Sequence, residues 1–130
     1  MVFIHYLDDH AEYAPLLEPL FARWETGEAN AVASVLVVAE TLVGPLRSGA
    51  REAAANAVHW LSGLPGLEIA PVTLDIGVRA AELRAEHGFP MADSLHAATA
   101  LVRGAEVFLT NDRGLTRLRQ LEPVFLDDLL

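Results

Sequence analysis

Glu40, Asp93 and Asp112 are the carboxylates whose surroundings least suit a charge. Glu40 stands in VLVVAETLVG. On a helix its i−4, i−3, i+3 and i+4 neighbours are Leu36, Val37, Val43 and Gly44, and none of them can pair with it. A buried, unpaired carboxylate is costly, so Glu40 must be neutral, paired or metal-bound, unless it reaches past its neighbours to water or an arginine. Asp93 falls in the first turn of a helix, where the dipole and free N–H groups favour an acid. Its helical face continues through His96, Ala97 and Ala100, so it looks onto a small, apolar, packed region. Asp112 closes VFLTND, and Asn-Asp followed by Arg-Gly is also ordinary turn chemistry. Each acid alone has a plain structural explanation. Three from three separate segments make a set that suits a hard cation, Mg²⁺ or Mn²⁺. Such an ion holds phosphate esters and lowers the pKa of an attacking water, so metal-assisted phosphodiester hydrolysis is the chemistry they predict. Glu52, Glu82, Glu86 and Asp75 read as solvated helix charges.

Those three acids need a frame. Ala11 to Arg23 carries Tyr13, Leu16, Leu17, Leu20 and Phe21 at helical spacing. AVAS (31–34) reads as a strand ending at Ser34, an N-cap for the helix VLVVAETLVGPL, which is expected to stop near Gly44-Pro45. Arg51 to Leu61 is a second helix, closed by SGLPG. LEIAPV is a strand with Pro71 at its end. Thr73 caps a helix that stops at Gly88. Pro90 opens the next helix, which ends at Gly104. EVFLT is a strand, NDRGLTRLRQ a turn with a helical turn or two, and EPVFLDDLL begins as a last strand. Strands alternating with helices predict an α/β fold whose parallel sheet is covered on both faces. Ligands in such folds gather beyond the carboxyl ends of the strands, where Asp112 falls.

The totals narrow the classes. At 130 residues, a single domain over 1–130 is expected. The absence of cysteine excludes disulfides, thiolate chemistry and Cys-ligated zinc. The nine basic residues are all Arg, so no mechanism can use a lysine. A net charge of −9 argues against a broad basic nucleic-acid surface but not against a nuclease with acidic metal ligands, because bound cations offset that charge locally. The apolar run AVASVLVVA is too short to span a membrane, and the N-terminus lacks the pattern of a secretory signal. A cytoplasmic protein is expected. A response-regulator receiver, suggested by FIHYLDDH, is excluded: it needs a mid-chain phosphoacceptor Asp and a late Lys.

The order VAETLVGPL, then MADSLHAATA, then VFLTND resembles the PIN-domain ribonucleases, and most of all the VapC-type toxins of toxin–antitoxin pairs. The likeness runs over almost the whole chain, including YAPLLEPLFARWETGEA and LDDLL. The resemblance implies a three-layer α/β/α fold with a central parallel sheet. It implies a quartet of acids around one or two Mg²⁺ or Mn²⁺ ions, with Glu40, Asp93 and Asp112 among them. Thr110 and Asn111 belong to the same strand-end motif as Asp112, and His96 matches a histidine one turn after the helix Asp. An RNA substrate, an antitoxin partner and a homodimer are further implications. Arg113, Arg117 and Arg119, just after Asp112, are the arginines expected to meet phosphate.

One departure stands out. The family's first acid closes a first strand in a DTN-like motif, and VFIHYLDDH resembles the helix that follows that strand. Three accounts are open: the reading frame begins further upstream; residues 2–7 form the strand, with Asp8 or Asp9 as substitute ligand; or the chain is a catalytically degenerate PIN-like binding module. Exposed Trp24, Trp60 or Phe89 would serve contacts in such a module, although each also suits a core.

Overall fold

The computed structural model describes residues 13–110, 114 and 117–125. Helix α1 (Tyr13–Thr26) leads to β1 (Ala31–Ser34), then α2 (Leu36–Arg47), α3 (Arg51–Ser62) and β2 (Leu67–Ala70). Helices α4 (Leu74–His87) and α5 (Met91–Val102) follow, then β3 (Val107–Thr110) and β4 (Glu122–Phe125). The α/β alternation is as the sequence predicts.

Local chemistry explains most boundaries. Thr73 Oγ1 accepts from the Ile76 N–H at 3.3 Å and starts α4, and Gly88 closes it at φ 72°. Pro90, with φ −53° and ψ 151°, holds the extended turn from which α5 begins. Several boundaries differ from expectation, two of them by extension of a helix. Helix α2 does not stop at Gly44-Pro45 but carries Pro45 inside and ends at Arg47. So close to the helix end, proline's fixed φ suits the helix and its missing N–H removes a single bond. Helix α1 likewise runs on past Arg23 to Thr26.

Two apolar clusters lie on opposite faces of the strands. One joins Leu17, Phe21 and Trp24 of α1 to Leu61, Leu64 and Leu67, with Leu109 packed against it. The other joins Ile76, Ala80 and Leu83 of α4 to Phe89 and to Ala97, Ala98 and Ala100 of α5, with Phe108 packed against it. Neighbours Phe108 and Leu109 thus serve opposite faces, as strand alternation requires. Trp24 and Phe89 are core residues, and Trp60 stacks on Phe21 with ring centroids 5.1 Å apart. None of the three is a free contact residue.

The sheet is not continuous among the described residues. Strands β1 and β2 pair in parallel with Ala31 opposite Leu67, and β3 and β4 pair in parallel with Val107 opposite Glu122. They form two separate two-stranded sheets. No described helix is long and apolar enough to cross a membrane.

Candidate metal centre

Two helices bring acids to the carboxyl ends of the strands. At the end of β1 the buried Ser34 turns its Oγ onto the Leu36 N–H at 3.2 Å, and α2 begins at Leu36. Glu40 follows just over one turn later. On the other face, buried Phe89 anchors the start of α5. Its carbonyl accepts from Arg84 Nη1 at 2.8 Å and from the buried Ser94 hydroxyl at 3.4 Å. That anchor fixes Asp93 in the first turn and His96 one turn on. Small residues (Ala97, Ala98, Ala100) let α5 lie close to the strands, and the Thr99 hydroxyl is satisfied by Leu95 O at 2.7 Å.

Glu40, Asp93 and His96 line one cleft of about 1060 Å³, which is bounded by β1 on one side and β3 on the other. His96 Nε2 donates to Glu40 Oε1 at 2.9 Å. The Glu40 side chain is 41% exposed and that of His96 18%. Glu40 is therefore not the buried, partnerless carboxylate that its helical neighbours suggest. It is half in water, and its partner comes from α5. At the other end of the cleft Arg103 pairs with Glu68 of β2. Neither was singled out from sequence. Glu68 gives no signal in a strand of four residues, and Arg103 reads as a helix-terminal cation.

The remaining expected site residues are placed unevenly. Thr110 ends β3, while Asn111, Asp112 and Arg113 lie outside the described residues, as do Asp8 and Asp9. Arg117 sits over the Phe89 ring, 4.9 Å from its centroid, and its Nε donates to Gly114 O at 3.3 Å. Arg119 is exposed. Neither Arg117 nor Arg119 lines the cleft; Arg103 does. In kind, the donors in the cleft suit a hard cation: two carboxylates, one of them oriented by an imidazole. In number, the described residues contain no group of three or more His, Asp or Glu arranged to hold a metal ion.

Comparison with known proteins agrees with this architecture. A toxin–antitoxin complex from Klebsiella pneumoniae contains a chain that matches with a TM-score of 0.71 at 19% identity, over 96% of this chain and 92% of that one. VapBC2 from Rickettsia felis, bound to a DNA fragment from their promoter, matches with a TM-score of 0.69 at 22% identity, over 95% and 92%. At these identities the likeness establishes the fold. No curated protein matches the chain. The PIN domain matches residues 2–121, nearly the full length, and the chain belongs to the PIN domain family.

Proposed function

We propose that this protein is a Mg²⁺- or Mn²⁺-dependent endoribonuclease and the toxin of a toxin–antitoxin pair. The observation that carries this reading is the convergence of Glu40 and Asp93, from helices on two different faces, on one cleft of a PIN domain. Glu40, Asp93 and Asp112 are the proposed ligands, with Asp8 or Asp9 as a further acid. A bound divalent ion would supply charge to the scissile phosphate and acidify the attacking water. His96 holds Glu40 Oε1, leaving Oε2 as that carboxylate's second acceptor. Thr110 and Asn111 set the position of Asp112. Arg113, Arg117 and Arg119 offer planar donor forks to RNA phosphates and offset a chain of net charge −9. One structural relative is named as a toxin–antitoxin complex and another as VapBC2, which supports an antitoxin partner. Family resemblance supports a homodimer.

The test is cleavage of a single-stranded RNA in Mn²⁺. The unsubstituted chain cuts, EDTA stops it, and Asp93→Asn is inactive while keeping its far-UV circular dichroism. Full activity in Asp93→Asn removes the proposed site. One observation favours a second reading: among the described residues no three donors are gathered, and Glu40 is engaged by His96. A catalytically degenerate module would bind its antitoxin with or without EDTA and cut no RNA.

A further inference from the structure

Three basic side chains meet at one aromatic residue. Gly88 closes α4 in the left-handed region, at φ 72°, and its N–H donates to Arg84 O at 2.8 Å. A residue with a Cβ rarely adopts that backbone, so glycine makes the turn. The turn brings Phe89 back against the end of α4. There Arg84 Nη1 donates to Phe89 O at 2.8 Å. The His87 ring stacks on the Phe89 ring, with centroids 5.0 Å and planes 21° apart. From the segment between β3 and β4, Arg117 lays its guanidinium over the same ring, 4.9 Å from the centroid. Its Nε donates to Gly114 O at 3.3 Å, which fixes the orientation of the group.

Ordinary helix-end charge does not account for this cluster. Cations in the last turn of a helix offset its dipole, and that explains Arg84 and His87. It does not explain Arg117, which comes from outside the helix. The arginines also differ in their partners. Among the described residues Arg79 pairs with Glu82 and Arg103 with Glu68, whereas Arg84 and Arg117 have no ion pair. Both are exposed. In a chain of net charge −9, two such arginines on one buried residue make a local positive patch. Stacking uses the face of a guanidinium and leaves the donors in its edge for an oxyanion. The described bonds take only Nη1 of Arg84 and only Nε of Arg117.

Position gives the patch its meaning. Phe89 lies four residues before Asp93, just ahead of α5. Arg84, Phe89 and Arg117 do not line the cleft; they stand at its Asp93 end, while Arg103 and Glu68 occupy the other. The cleft presents Glu40 and Asp93, so a polyanion that enters it needs cations beside it.

We propose that Arg84 and Arg117, held on Phe89, seat a backbone phosphate of the RNA strand just outside the cleft, next to its metal-binding end. His87 is a positioning residue that fixes the ring. The proposal rests on the ribonuclease reading given above. An acidic peptide is the other polyanion that such a patch would take. Its place beside carboxylates suited to a phosphate-binding cation favours RNA.

The test is binding of a labelled single-stranded RNA to the full chain, read by fluorescence anisotropy in EDTA over a range of salt. Arg84→Gln and Arg117→Gln should each flatten the log–log salt slope by about 0.7, and the double variant by about 1.4. Arg84→Lys and Arg117→Lys keep the charge and should keep the slope. Arg79→Gln and Arg103→Gln, whose charges are already paired, should leave it unchanged. Because Arg84 anchors the Phe89 carbonyl, Arg117→Gln decides the matter if Arg84→Gln fails to fold. Equal slopes in all variants overturn the proposal. So does equal flattening by the Arg79 and Arg103 substitutions, which would make the effect one of net charge. A slope that holds while binding of polyglutamate falls gives the patch to an acidic protein and also overturns it. An unsubstituted chain that binds no RNA removes the ribonuclease reading and the seat together. Cleavage that Asp93→Asn abolishes, with slopes unchanged in the arginine variants, removes the seat alone.

Discussion

At the scale of single residues the candidate site turns on Glu40 and its bond to His96. The sequence marks Glu40 as a carboxylate in the wrong company, and that signal survives in the structure as a position on a cleft. The neighbours i±3 and i±4 could not reveal its partner, because His96 lies 56 residues away on another helix. His96 itself reads equally well as a packed side chain, and its 18% exposure fits both roles. An imidazole orienting a metal-binding carboxylate is worth about 10–100-fold in metal affinity. We therefore expect His96→Ala to weaken Mn²⁺ binding by that factor, and His96→Gln to restore part of it, in a calorimetric titration. An unchanged affinity in His96→Ala would make the hydrogen bond structural only. Arg117 is proposed to meet phosphate, and in the chain alone its guanidinium lies over the Phe89 ring. A turn of apolar and basic residues does not say which ring a cation will find.

At the scale of elements, boundaries written in caps and turns were legible. Thr73, Gly88 and Pro90 each act through backbone chemistry that is local in sequence. Removing the Thr73 cap should cost about 1 kcal/mol, readable as a lowered midpoint in urea unfolding of Thr73→Ala. Close approach between elements was not legible. Gly66 reads as part of a turn, yet its N–H donates to Trp24 O at 2.8 Å, and an added Cβ would meet Trp24 Cα at 2.9 Å and the Ala29 carbonyl. The obstacles are backbone atoms, which cannot rotate aside. Gly66→Ala should therefore destabilise by about 1–3 kcal/mol, while Gly77→Ala, where a Cβ meets nothing within 4 Å, should not. Equal unfolding midpoints for the two variants would contradict the close packing of the α1 end against the start of β2. Phe21, fully buried between Trp24 and Trp60, is the residue on which that face most depends. Phe21→Ala should cost about 3–5 kcal/mol.

At the scale of the whole molecule, strand–helix alternation was enough to predict a parallel sheet covered on both faces, because periodicity records burial. It could not predict that the described strands fall into two pairs with a cleft between them. Pairing depends on which strands lie side by side, and periodicity is silent about that. The cleft is where the acids converge, so the gap in the sheet and the candidate metal centre are one feature. On the proposed function, a chain of net charge −9 would hold RNA through few contacts. If Arg113, Arg117 and Arg119 each neutralise one phosphate, the affinity for single-stranded RNA should fall with salt at a log–log slope of about −2, at about 0.7 per phosphate. Each arginine-to-alanine change should then flatten that slope by about 0.7. The measurement that bears most directly on the central claim is Mn²⁺ binding, followed by electron paramagnetic resonance, to the full chain and to Glu40→Gln and Asp93→Asn. The account predicts that the unsubstituted chain removes free Mn²⁺ from solution and that each substitution weakens this at least about tenfold, the scale on which even outer partners of a metal act. Equal Mn²⁺ affinity in all three proteins would contradict it.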